Sequence, residues 1–275
     1  MTKDGPIADL ARQLLAAEGP GPAIEQLKKD VRKAPRHAGL RTFLFQMFCV
    51  LGEWDRALTQ LAVVSELDPV AVPMAQTYRA LIRCEMLRER VFAGQRSPTV
   101  MGEPERWMSL LVEAVRVLAT GAMTEAADLR DAAFDEAPAT SGTLNDQSFA
   151  WIADADPRLG PMLESVVEGK YYWVPFSRIL RIDLEAPTDL RDQVWMPAQF
   201  TWTTGGETVG FIPTRYPGSA QASGDLALAR RTEFVAHGDP ELGWELGLGQ
   251  RMLTTDGPEA AIMDLRHLAI SQTPA

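Results

Sequence analysis

Apolar positions in the first half of the chain recur at helical spacing. The stretch GEWDRALTQLAVVSELDP, residues 52–69, shows the device most clearly: a glycine turn, an aromatic, a small alanine, an apolar stripe and an Asp-Pro stop. It recurs with a period near that of tetratricopeptide repeats. Pro35, Pro69, Pro104 and Pro138 mark the unit ends, with Ala23, Ala57 and Ala126 twelve residues before three of them. Phe92 stands at that place before Pro104, so that unit departs from the pattern. Proline ends a helix, alanine lets helix axes approach, and Gly52 and Gly121 permit left-handed turns between helices. Met74, Tyr78, Leu81 and Ile82 form one helical face, and Trp107, Leu110, Leu111, Ala114 and Leu118 another. Residues 8–137 therefore predict a right-handed stack of about seven helices, with FAGQRSPTVMGEP, 92–104, as an irregular joint. Arg41 and Phe45 stand where the usual first-helix Trp and Gly would be, so the hairpins are tetratricopeptide-like, with wider packing at Phe45.

After Pro138 the period changes. ATSGTLNDQS, 139–148, reads as a linker, and Asp156-Pro157 predicts the cap of a short helix ending at Gly169. Leu180, Ile182 and Leu184 alternate with Arg181, Asp183 and Glu185, the pattern of a half-buried strand. QFTWTTGGETVGFIP centres on Gly205-Gly206, a two-residue hairpin signal. That turn sets Trp202 opposite Val209 and Phe200 opposite Phe211, all on one face. Residues 250–256 and part of 262–270 predict further strands. The expected fold is multidomain: an N-terminal tetratricopeptide-like α-superhelix, residues 1–138, followed by an α+β domain with a largely antiparallel sheet, residues 139–275.

Charge separates the halves. Of a net charge of −10, residues 139–275 carry −8 and residues 1–138 carry −2. The second half repels phosphate backbones, which argues against a nucleic-acid partner. Cys49 and Cys84 lie in apolar helical stretches and read as buried thiols. MTKDGPIADLARQLL carries early acids and no long apolar run, so no signal peptide is expected. The uncharged run TFLFQMFCVLG is too short to span a bilayer. These features predict a cytoplasmic protein without membrane insertion.

Candidate chemistry is sparse. Asp154 and Asp156 read as caps, and Arg215 in IPTRYPGS sits in a loop able to hold an anion. His267 follows Asp264 and Arg266, with no nucleophile motif beside it. An enzymatic or small-ligand reading of the second half requires Asp154, Arg215 and His267 to converge in one pocket. YYW, 171–173, cannot bury all three rings on one face of a strand, which points to the domain junction. In a repeat array the first helices line the concave face. Thr42, Gln46 and Cys49, flanked by Gln76, Arg79 and Arg83, are then the expected partner-binding residues, suited to an amphipathic helix. A carboxylate clamp of the cochaperone type has only Arg79 and Arg83 to draw on.

The blocks FLFQMFCVLGEWDRALTQL, PMAQTYRALIRCE, APATSGTLND, WIADADPRLGP, GKYYWVPFSRI, DLRDQVWMPA, IPTRYPGS and GLGQRML, spread over nearly the whole chain, resemble the ImpE/TagJ family of type VI secretion accessory proteins. The resemblance implies a non-enzymatic adaptor without a cofactor or metal. It also implies a partner in the N-terminal helix of the small contractile-sheath subunit, and a link to the ClpV ATPase that disassembles the sheath.

Overall fold

The computed structural model describes residues 9–222 and 224–271. The reading of the N-terminal stretch as lacking a signal peptide falls partly on residues 1–8, outside the described residues. Among the described residues seven α-helices form the first half: α1 (Asp9–Ala17), α2 (Pro20–Lys33), α3 (Ala38–Val50), α4 (Trp54–Leu67), α5 (Val72–Phe92), α6 (Arg106–Leu118) and α7 (Met123–Glu136). Neighbours pack as hairpins, α1 on α2, α3 on α4 and α6 on α7. The three alanines sit where these helices touch, and Ala23, Ala57 and Ala126 are each 0% exposed. Pro35 and Pro138 follow the ends of α2 and α7, while Pro69 opens a short 3-10 turn leading into α5. Phe45 is fully buried and meets Tyr78 edge-on at 5.6 Å between centroids.

The irregular unit has a structural cause. Phe92 is the last residue of α5, a single helix of 21 residues. The chain then forms β1 (Thr99–Val100), which pairs in parallel with β6 (Lys170–Pro175). The first half thus lends a strand to the sheet of the second.

That sheet has nine strands. From one edge they run β1, β6, β5 (Met162–Val167), β9 (Glu207–Pro213), β8 (Trp195–Trp202), β7 (Ile179–Asp183), β14 (His267–Ile270), β2 (Gly142–Leu144) and β3 (Gln147–Phe149). All of its pairings except β1 with β6 are antiparallel. β4 (Ile152–Asp154), β12 (Met252–Thr255) and β13 (Ala260–Ala261) form a second sheet with β4 at its edge. β10 (Thr232–Ala236) and β11 (Glu245–Gly249) form a ribbon beyond the short helix α8 (Gly224–Ala227).

Four local expectations are corrected. Residues 139–148 are no linker, since they form β2 and enter β3. The segment after Asp156-Pro157 is no helix. A turn leads into β5, whose six residues are all buried. Asp156 still accepts a backbone hydrogen bond, from the Arg158 N–H at 2.9 Å, but it closes a turn rather than a helix. In β7 a bulge between Ile179 and Arg181 places Ile179 on the buried face in the position expected for Leu180, while Ile182 and Leu184 stay buried. The β8–β9 hairpin is offset by three residues. Trp202 donates its N–H to the Gly206 carbonyl and accepts from the Gly205 N–H, so the loop holds three residues instead of two. An odd offset exchanges faces. Val209 lies opposite Gln199 and is 71% exposed, and Phe211 lies opposite Pro197. Phe200 instead faces the core and stacks on Trp202, ring centroids 5.0 Å apart.

The main apolar core does not stop at residue 138. Leu40, Phe45, Leu61, Ile82 and Leu111 of the helices share one cluster with Met162, Val166, Tyr171, Trp173 and Trp195 of the sheet. Tyr171 and Trp173 face this cluster, while Tyr172 packs from the opposite side against a second core within the sheet. The YYW strand therefore lies at the junction, with its rings divided between both faces.

Candidate functional site

The junction is built on α5. Its inner face presents Tyr78, Glu85 and Arg88, all buried, and its outer face presents Gln76 and Arg83, both exposed, with Arg79 half-buried. Arg88 reaches across to β5 and grips Glu164 with two hydrogen bonds, Nε to Oε1 at 2.7 Å and Nη2 to Oε2 at 2.8 Å. It also donates to the Arg215 carbonyl at 2.8 Å. Glu164 accepts in addition from the Tyr171 hydroxyl and from Arg251. Arg251 turns its other nitrogen to Asp154, which accepts from the Tyr216 hydroxyl at 3.0 Å. Arg88, Glu164, Arg251 and Asp154 thus form one chain of ion pairs, with Glu164, Arg251 and Asp154 side chains wholly shielded from solvent.

The protonation states follow from these contacts. Burial pushes the Glu164 carboxyl up, but Arg88 and Arg251 overcome it and hold the group down at about 2. At Asp154 burial prevails over Arg251, with Asp156 beside it adding to the rise, and its pKa is pushed up to about 6. Burial likewise raises Glu85 and pulls Arg215 down to about 10.

Arg215, the candidate anion ligand, holds no free anion pocket. Its guanidinium donates to the carbonyls of Cys49 at 3.1 Å and Val50 at 2.6 Å, and to that of Ala227. Those first two carbonyls belong to the last turn of α3; that of Cys49 also accepts from the Gly52 N–H at 3.2 Å, and Arg215 adds a donor to both. Arg215 is thus a C-terminal cap for α3, supplied from a distant loop. His267 lies elsewhere, on the solvent-facing side of the sheet, where its Nδ1 is 2.7 Å from Asp183 Oδ1. Asp154, Arg215 and His267 engage three separate sets of partners and do not converge. Among the described residues no group of three or more His, Cys, Asp or Glu side chains is placed to hold a metal ion.

The six expected partner-binding residues are divided. Thr42 is half-buried and bonds back to the Ala38 carbonyl at 3.1 Å. Gln46 donates to Asp189 Oδ1 at 3.1 Å, in the loop before β8. Cys49 is 0% exposed, and burial lifts its thiol pKa well above the ordinary range. Arg191 of the same loop lies 4.6 Å over the Tyr78 ring. The second half of the chain therefore lies against the inner face of α3 and α5, leaving Gln76, Arg79 and Arg83 on the open side of α5 as a row. Arg88, Glu164 and Arg251 escape a reading by local spacing, because each pairs with a residue far along the chain. A buried charge within an apolar helical face, as at Arg88 among Leu81, Ile82 and Val91, is the signal that marks such a partner.

These features define a helical-hairpin array locked to an antiparallel α+β sheet through a buried ionic junction. Comparison with known proteins sharpens that class. The ImpE protein family matches residues 146–269. The type VI secretion system accessory component TagJ of Pseudomonas aeruginosa is 45% identical over 272 residues, covering 98% of this chain and 94% of that protein. The crystal structure of protein VPA1032 from Vibrio parahaemolyticus superimposes with a TM-score of 0.88 at 26% identity, covering 96% of this chain and 98% of that one. The chain belongs to the ImpE family. Among its described residues no helix is long and apolar enough to cross a membrane.

Proposed function

We propose that the chain is a non-catalytic, cytoplasmic accessory protein of the type VI secretion apparatus that captures the N-terminal helix of the small sheath subunit. By this reading it modulates sheath assembly or the disassembly driven by ClpV. The 45% identity to an accessory component of that apparatus supports the setting. The observation that carries the mechanism is the row Gln76, Arg79 and Arg83 on the open side of α5, a helix held from behind by the junction. A rigid helix with a polar, basic edge suits an amphipathic partner helix: apolar burial supplies affinity and the rim charges set register. Of the α3 positions, Thr42 bonds back to its own helix, Gln46 is engaged by Asp189 and Cys49 is buried, so the reading rests on the α5 row. Because the buried acids and guanidiniums of the junction are spent on one another, the work assigned to the molecule is binding.

Calorimetric titration of the full-length protein with a peptide covering the sheath subunit's first helix tests this. Saturable binding is expected, and Arg79→Glu with Arg83→Glu should weaken it by about tenfold or more. No heat at high micromolar peptide from folded protein removes the reading. Unchanged affinity in the double variant removes α5 as the site.

A further inference from the structure

β10 and β11 stand apart from the two larger sheets as a ribbon, and its two outer edges differ. The Gln250 N–H donates to the Arg231 carbonyl at 2.9 Å and the His237 N–H to the Trp244 carbonyl at 2.7 Å, which sets the phase of the ladder. Glu233 and Val235 therefore bond to β11, while Thr232, Phe234 and Ala236 turn their N–H and C=O groups outward. On β11 the outward groups are engaged. The Gly247 N–H donates to Asp156 Oδ2 at 2.9 Å and the Gly249 N–H to Ser219 Oγ at 2.8 Å, and the Gly249 carbonyl accepts from the Tyr216 N–H at 3.0 Å. On β10, among the described residues, no hydrogen bond reaches the outward groups of Phe234 or Ala236. With five residues this edge is longer than those of β1 and β13, with two each, and of β3 and β4, with three each. Open edges are normally blunted by a central charge, a proline or a bulge. The centre of β10 is Phe234-Val235-Ala236 instead, with Phe234 41% and Val235 48% exposed.

The side chains specify what such an edge pairs with. Arg231, Glu233, Val235 and His237 follow one another at every second position and share a face. That order is complementary to itself. In a closed dimer two copies of β10 run antiparallel about a two-fold axis. With the axis at Val235 the two valines meet, and each Glu233 lies opposite His237 of the second copy. A histidine donates an N–H to a carboxylate in either of its protonation states. Glu233 already holds Arg231 at 2.6 Å on its other side. Phe234 then lies opposite Ala236 of the second copy, so the outward backbone groups of both residues bond one another. Other registers conflict. An axis at Phe234 sets Arg231 against His237 and Glu233 against Val235, and an axis at Glu233 sets the two glutamates face to face. Beyond His237 the ladder ends, because Gly238 at φ +78° turns the chain.

We propose that β10 is a self-association edge, through which two copies of this chain join as antiparallel strands centred on Val235. Backbone pairing supplies the contact, and the Glu233–His237 pairs fix its register. The edge is distinct from the α5 row and does not rest on the reading given to that row.

The test uses the full chain. Sedimentation equilibrium should show reversible dimerisation between about 10 µM and about 1 mM, as suits a small interface. Glu233→Lys should weaken the dimer by about tenfold or more, because the lysine then meets His237 of the second copy. Adding His237→Glu should restore it to within about threefold, since each lysine then meets a glutamate. Val235→Cys, treated with a mild oxidant, should form a disulfide-linked dimer well ahead of Val70→Cys, a control position that is 86% exposed. Directly opposed residues of this kind lie within disulfide reach. Cys49 and Cys84 are buried and stay out of that reaction. Circular dichroism checks that each variant keeps the fold. The proposal is overturned if the chain stays monomeric at about 1 mM, or if Glu233→Lys dimerises within about twofold of the original. It is overturned equally if the double variant does not recover, or if Val235→Cys cross-links no faster than Val70→Cys.

Discussion

Replacing Glu164 with glutamine tests whether the junction is held by charge. Glu164 is 0% exposed and accepts four hydrogen bonds, two from Arg88 and one each from Tyr171 and Arg251. Glutamine keeps the volume, removes the charge and turns an NH2 group toward donors. Arg88 then keeps the Arg215 carbonyl and a distant Glu85 at 3.4 Å, and Arg251 keeps Asp154. Burial raises the pKa of both of those remaining acids, Glu85 and Asp154. Two guanidiniums are left undercompensated in the core, a loss of about 3–5 kcal/mol. With a urea m-value of about 3 kcal/mol/M, the unfolding midpoint should fall by about 1–1.7 M at unchanged slope. Because one apolar core runs from the helices into the sheet, far-UV circular dichroism and tryptophan fluorescence should report the same midpoint in both proteins. Glu136→Gln, which breaks the exposed pair with Arg106, serves as the control and should leave the midpoint in place. A fall below about 0.3 M for Glu164→Gln would refute the reasoning, because the ion pairs would then be adding nothing that a neutral side chain cannot.

The remaining predictions probe neighbouring contacts. The Asp154 pKa is raised from 3.8 to about 6, so the folded chain keeps a proton there that the unfolded chain loses, and stability should fall as pH rises through that window. Glu164 acts oppositely: lowered from 4.5 to about 2, it contributes stability above that window that is lost as pH falls through it. Urea midpoints measured across pH should therefore peak near pH ~4, and Asp154→Asn should flatten most of the decline above it; a variant that keeps the full decline places the proton elsewhere. Arg215→Met strips the cap from α3 and should destabilise by about 2–4 kcal/mol, with faster amide exchange in the last turn of that helix than in α6. Gly210→Ala puts a Cβ 2.7 Å from the Val166 carbonyl oxygen within the sheet, and should lower the melting temperature more than Gly121→Ala. The latter strains a turn at φ +85° but meets nothing within 4 Å.

Reading order in the chain decided what was legible beforehand. The helices are local objects: their prolines, alanines and apolar stripes lie within one period of each other, so their ends and contacts followed from spacing. β5 was hidden because Asp156-Pro157 carries a helix-start signature, while the evidence for a strand, pairing with β6 and β9, is absent from its own residues. The β8–β9 hairpin was recognised but misregistered, since Gly205-Gly206 fits a two-residue turn and only the Trp202–Gly206 bond reveals a three-residue loop. The ionic junction was invisible for the same reason on a larger scale. Arg88 and Glu164 are 76 residues apart and Arg251 and Asp154 are 97 apart, and no local pattern encodes such pairs. For the site, the spacing placed Thr42, Gln46 and Cys49 on one stripe of α3. It had no means of indicating that the Asp189 loop and Arg215 would press against that stripe.

That pressing has a consequence for why the junction is ionic. Apolar side chains of similar volume would hold the helices to the sheet at least as strongly, because desolvating the four charged groups of the ion-pair chain offsets much of their attraction. Apolar contact, however, tolerates sliding. A guanidinium gripping a carboxylate with two parallel hydrogen bonds does not, since a shift of one residue breaks both. Arg88 fixes α5 against β5 in this way, Arg215 fixes the end of α3 against the loop after β9, and Arg251 fixes β12 against both β5 and β4. The open row of α5 therefore stands at a set position relative to β4, whose residue Asp154 ends the same chain of pairs. A chain that holds a helical array and a sheet in fixed register has use for directional pairs in its core even where they add little net stability.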